Sequence, residues 1–204
     1  MNGSNFFPTL EGTLAVMENK GYRVFQAESG FDLNIVGIRT RAVVANKFDD
    51  YISVFYRMHG EWLFNVFKCT TDPGAFWLEN PMTDMGTAVL KEGQYRKAYR
   101  LGRHKGKYTA LVQNSPLTVI RDADRDRFLD LNSGFEETGF FGINIHRASA
   151  HHKSIQVDKW SAGCQVLCDP HQFDFFISLC KSGREAFGNS FTYTLLNERD
   201  FELT

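Results

Sequence analysis

A surplus of charge is what this 204-residue chain most clearly lacks. Its 23 Lys and Arg are set against 24 Asp and Glu, for a formal net charge of −1. No basic face is implied, and nucleic acid is not expected as a partner. Long apolar runs are also missing, and nothing approaches the roughly 18 residues that a membrane-spanning helix needs. Cysteine is sparse: Cys69, Cys164, Cys168 and Cys180 are irregularly spaced, which excludes a disulfide framework and leaves at least one thiol free for chemistry. The stretch Met1 to Pro8 has neither a basic start nor an apolar signal core, so the expectation is synthesis in the cytoplasm without a signal peptide. Linkers rich in Pro, Gly or Ser are absent too, and no internal repeat is found, so residues 1–204 are read as one domain.

Aromatic residues, by contrast, are abundant, with 19 Phe, 7 Tyr and 3 Trp. Such content suits an apolar core of strands and a groove lined with rings. Leu10, Leu14 and Met17 recur at helical spacing before Gly21, which predicts a helix over 9–20. Extended segments follow at 22–26 and 32–40. A hairpin is expected from 51–58 and 62–69 about the His59-Gly60 turn, and 70–74 (TTDPG) is a turn by composition. Further strands are expected at 88–90, 110–113, 117–121, 142–146 and 191–196, with a second helix over 171–181 ended by Gly183. The fold class is mainly β with peripheral helices, a mixed sandwich or barrel-like sheet. In this reading an N-terminal helix and strands occupy 1–50, the catalytic core 51–169, and a C-terminal helix and strand 170–204.

One stretch carries chemistry. A strand ending at His146, a polar loop, and then Ser161-Ala162-Gly163-Cys164 would bring an imidazole and a thiol to one sheet edge. A thiol must lose its proton to attack a carbonyl, and a neighbouring histidine takes it. Gly163 lets the backbone turn sharply and leaves amides to face a developing oxyanion. A single cysteine is by default a small buried hydrophobe, but its setting in a polar, Gly-punctuated turn reverses that reading.

With His146 followed by 14 residues and then Ser-Ala-Gly-Cys, the segment resembles the L,D-transpeptidase catalytic domain, the YkuD-like family, whose mark is a histidine and a following Ser/Thr-His-Gly-Cys. Thr70 to Phe76 is similar to that family's Thr-Pro-x-Gly stretch, so the likeness spans roughly residues 51–169. It implies Cys164 as nucleophile, His146 as general base oriented by a backbone carbonyl, Gly163 and Cys164 as oxyanion donors, and Ser161 as support for the turn. The implied partner is peptidoglycan or its muropeptides, without a cofactor or metal, and with Arg147, Trp160, Ala162, Gln165 and His104 at the substrate. Ala162 stands where the family has histidine, Val166 where it has Arg or Asn, and Arg147 where a small residue is common. These departures point to a hydrolase of the carboxypeptidase or endopeptidase type. A cross-linking transpeptidase and a silent wall-binding module are the alternatives. An enzyme made without a signal peptide would meet the wall through phage lysis or a secretion apparatus, or meet its fragments during cytoplasmic recycling.

Other signals are weaker. The Cys164, Cys168, His171 spacing fits no common zinc site, and Cys180 falls on an apolar helix face. The Asp122 to Asp130 run lacks the glycine and the closing Glu of a calcium loop. Gly102 to Tyr108, basic and Gly-bounded, reads as a hairpin tip that can lend a cation such as that of His104 to carboxylates.

Overall fold

The computed structural model describes residues 6–132 and 134–202. Strand β1 (Asn34–Arg39) is buried along its whole length because both its faces are covered. Ile35 points into one apolar core, while Val36 and Ile38 belong to a second. The helix over that second core is α1 (Leu10–Asn19), started by the Thr9 hydroxyl accepting from Gly12 N–H at 3.1 Å. Its buried positions are Thr13, Val16 and Met17, while the predicted Leu10 and Leu14 are partly buried against the same core. Next come β2 (Asp50–Met58) and β3 (Glu61–Thr70), paired from Asp50↔Cys69 to Met58↔Glu61. His59 (φ 53°) and Gly60 (φ 85°) make the turn between them, both left-handed as a two-residue hairpin of this twist requires.

After the 70–74 turn a short helix, α2 (Ala75–Glu79), leads to β4 (Thr87–Leu90). Strands β5 (Gly93–His104) and β6 (Tyr108–Gln113) form a hairpin with its tip at Lys105-Gly106, as expected. They are followed by β7 (Leu117–Asp122), β8 (Phe135–Gly139), β9 (Ile145–Arg147), β10 (Gln165–Leu167), α3 (Pro170–Phe187) and β11 (Phe191–Asn197). Eight strands close into a barrel in the order β1-β11-β5-β6-β9-β10-β3-β2, and β4-β7-β8 form a separate three-stranded sheet. The architecture is therefore mainly β with peripheral helices. Two barrel pairs are parallel, β1 with β11 and β9 with β10. Phe173, Phe176 and Cys180 of α3 join the core that fills the barrel. Among the described residues no helix is long and apolar enough to cross a membrane.

Several expectations change. Residues 22–26 do not form a strand, because the Asn34 side chain takes the place of a neighbouring backbone. It bonds Phe25 N–H and Phe25 C=O, both at 2.8 Å. Helix α3 runs through Gly183, where a β-carbon would sit 3.1 Å from Leu33 and 3.2 Å from Phe31 C=O, so that glycine is there for close packing. The helix ends instead at Gly188 (φ 89°). Strands β5, β8 and β10 and helix α2 were not foreseen, and the strand expected at 142–146 forms only over Ile145–Arg147.

Candidate active site

The parallel pair β9/β10 builds the site. Ile145 and Leu167 point into the barrel core, so His146, with its partner Val166, faces outward. Cys164 precedes Gln165, whose N–H bonds Asn144 C=O at 2.9 Å, and by alternation it lies on the same outer face. Thiol and imidazole are thus offset by one pair of residues on the same face of the parallel strands, and among the described residues no hydrogen bond joins them. In the resting arrangement the thiol bonds elsewhere. Cys164 Sγ donates to Gly142 C=O at 3.6 Å and accepts from Asn144 N–H at 3.4 Å.

Each imidazole has an assignable tautomer. His146 Nδ1 is 2.8 Å from Arg147 C=O; a carbonyl can only accept, so Nδ1 carries the proton and Nε2 holds the free lone pair. This is the backbone orientation that the resemblance implied. The Tyr108 hydroxyl donates to the same carbonyl at 3.2 Å. His104 stacks on His146 with centroids 4.1 Å apart and planes 23° from parallel. Gln113 N–H donates to Asn144 Oδ1 at 2.9 Å, which turns the Asn144 amide NH₂ toward His104 Nδ1, 3.1 Å away. His104 Nδ1 must therefore accept, and the proton of that ring is on Nε2.

The electrostatics agree with this neutral arrangement. Burial first, then the neighbouring His104, pushes His146 down to about 3, against the pull of the Arg147 carbonyl. His104 is pushed down to about 4 by burial and then by Lys105 and Lys107. Burial raises the Cys164 thiol, while the Asn144 N–H and then Lys105 act the other way. At rest the site holds a thiol and an uncharged imidazole rather than an ion pair.

The turn before Cys164 is tightly built. Gly163 has φ +116°, and a β-carbon there would lie 2.2 Å from Ala88 C=O. The Ser161 hydroxyl donates to Cys164 C=O at 2.7 Å and accepts from Gly163 N–H at 3.1 Å. Ser161 therefore supports the turn as foreseen. The Gly163 amide is spent on that hydroxyl, however, so among the described residues only the Cys164 amide, of the two foreseen, stays uncommitted for an oxyanion. Ser161 C=O also accepts from Gly74 N–H at 2.9 Å, which ties the 70–74 turn to the one before Cys164.

Gln165, expected at the substrate, is turned inward instead. It is fully buried in the barrel, donating to Gly163 C=O at 3.3 Å and Thr71 C=O at 3.4 Å and accepting from Tyr193 O–H at 2.9 Å. Arg147 turns its guanidinium over Tyr108, 4.0 Å from the ring centroid, rather than into an open cleft. His104, also expected at the substrate, is buried against the His146 ring. Trp160 is exposed beside the turn, and Ala162 lines a cavity. Sequence reasoning missed Asn144, Tyr108 and Gln113. Asn144 was findable, since strand alternation puts it on the face of His146 two residues on. Gln113 had no signal: its Oε1 accepts from Phe141, Gly142 and Ile143 N–H at 3.0, 2.9 and 3.2 Å, fixing the loop whose carbonyl meets the thiol. Comparison with protein-family models, curated proteins and solved structures finds no match for this chain.

Proposed function

We propose that the chain is a cysteine-dependent peptide hydrolase of L,D-transpeptidase type that cleaves peptide stems or cross-links of peptidoglycan. The observation that carries this reading is the outer face of β9/β10, where Cys164 lies diagonal to a His146 whose Nδ1 is tied down and whose Nε2 is free. The barrel with its small flanking sheet supports an L,D-transpeptidase-like fold, and the peptidoglycan substrate follows from the resemblance of the His–Cys segment.

In this mechanism the Cys164 sulfur attacks a peptide carbonyl carbon. The thiol proton passes to His146 Nε2, through a rotamer change at Cys164 or one water, and then to the departing amine. The Cys164 amide faces the oxyanion. Water, deprotonated by His146, attacks the thioester and releases the acid and the free thiol. Hydrolysis rather than transfer is favoured because Ala162 presents no polar group to hold an acceptor amine, whereas water needs no binding site. Val166, also expected near the acceptor, is fully buried beside Ala148 and Cys168 and has no part in that choice.

The test is the mass spectrum of products from tetrapeptide and cross-linked muropeptides with excess free D-amino acid. Shortened stems or separated dimers are expected. Cys164→Ala and His146→Ala should each cost at least about a hundredfold in rate, with the double variant little worse than either. Dominant amino-acid exchange would make the enzyme a transpeptidase, and an active Cys164→Ala variant would end the covalent mechanism.

A further inference from the structure

A cavity of about 220 Å³ opens beside the candidate nucleophile. Two of its wall residues are near the thiol in the chain, and Gly163, just before it, packs on a third, Ala88. Ala162 lies two positions before Cys164, and Phe141 immediately precedes the Gly142 carbonyl that accepts from the sulfur. Trp77 of α2, Met82 of the following loop and Ala88 of β4 contribute further apolar surface. Arg121 of β7 is the one ionisable side chain in the lining, and its charge is already satisfied. Its Nε and Nη2 lie 2.9 and 2.8 Å from Glu137 Oε2, and its Nη1 donates to Gly86 C=O at 3.2 Å. Its guanidinium also sits over the Phe141 ring, 5.1 Å from the centroid. A charged group entering the cavity would lose its hydration and find no free countercharge. An apolar group would lose nothing, and cavities of about 150 Å³ with apolar walls already hold a benzene ring.

We infer that this cavity is a specificity subsite next to Cys164, and that it takes an uncharged, apolar side chain up to the size of an aromatic ring, adjacent to the scissile bond. The inference rests on Cys164 being the nucleophile. It narrows the substrates to peptides with such a residue on the side of the scissile bond that meets the cavity, and excludes a charged side chain from that side.

Single-armed alkylating reagents test the subsite even while the natural substrate is unidentified. The thiol sulfur displaces iodide: an S–C bond forms, the C–I bond breaks, iodide leaves with the bonding pair, and the thiol proton goes to the imidazole or to water. Rates of Cys164 modification by iodoacetamide, N-benzyl iodoacetamide and iodoacetyl-glycine are followed by intact-protein mass and divided by their rates with glutathione. The benzyl arm is expected to react about tenfold faster than the unsubstituted one, equivalent to about 1.4 kcal/mol, and the carboxylate arm no faster. Ala162→Leu fills the cavity and should abolish the preference. Met82→Glu, at an exposed position where folding is not at stake, should do so as well. If Cys164 reacts with iodoacetamide yet shows no benzyl preference, or if the preference survives both substitutions, the subsite is overturned while the nucleophile stands. If Cys164 resists all three reagents in the folded protein, both readings fall.

Discussion

A thiol can be made reactive in two ways: held as a thiolate against an imidazolium, or kept neutral beside a base that takes its proton only as the bond forms. The residues around His146 favour the second. Arg147 C=O holds its Nδ1 proton, His104 covers one ring face, and burial drives the imidazole down to about 3. His104 cannot share a charge, because Asn144 offers it a donor and Gln113 fixes the direction of that donor. Since the Cys164 thiol is also raised, the thiolate fraction should climb about tenfold per pH unit across the neutral range, with no histidine titration to level it. Iodoacetamide alkylation of Cys164 between about pH 5 and 8 measures this, and a rate that stays flat over that window would reveal a pre-formed ion pair.

At the scale of elements, the turn bearing Cys164 is held from below as much as from its own sequence. Gln165 carries the hold inward to Tyr193 of β11 and Thr71, and Arg39 of β1 continues it with a 2.7 Å bond to Asp72 and a 3.0 Å bond to Leu90 C=O. Gly163 meets the small sheet directly at Ala88 of β4. A methyl group there would combine a left-handed φ with a collision against backbone that cannot swing aside. Gly163→Ala should therefore cost about 1–3 kcal/mol from conformational strain alone, before any shift of β4 is counted. Urea denaturation at neutral pH measures the loss, with thiol alkylation on the same samples. A variant as stable as the parent would mean that the turn relaxes without β4.

Over the whole molecule, buried titratable groups set how stability responds to acid. His146 is neutral in the fold and, at an ordinary value near 6.5, charged in the unfolded chain below that pH. The unfolded state then binds more protons, so the contribution of His146 is lost as pH falls from about 6.5 toward 3. His104 acts in the same direction over a narrower window that closes near 4. Asp49 and Asp122, each raised to about 6 mainly by burial, have the opposite sign: they favour the fold as pH falls through 6. The parent profile is a compromise among these terms, and one substitution isolates the histidine. His146→Asn keeps a donor for Arg147 C=O and cannot take up a proton. Relative to the parent it should gain about 2 kcal/mol in folding free energy between pH 7 and pH 5, read from denaturation curves at both. An unchanged difference would show that His146 is charged in the fold.

Local patterns determined much of this protein. The spacing of Leu10, Leu14 and Met17 sufficed for α1, the His59-Gly60 pair for the β2/β3 turn, and Ser161 to Cys164 for a strained turn bearing a thiol, because each depends on residues that are neighbours in the chain. Strand β5 escaped notice since Gly93 to His104 alternates poorly and is rich in Lys and Arg. It is a strand because β6 and β11 pair with its two edges. Likewise, nothing near Gln165 shows that it faces inward. Its neighbours are Tyr193 and Thr71, and closure of the barrel brings them there. The tautomer of His104, the use of the Gly163 amide by Ser161 and the cavity beneath Phe141 all belong to this second kind. They arise from contacts and hydrogen bonds that become unavoidable only when folding removes water and brings separate strands within reach of one another.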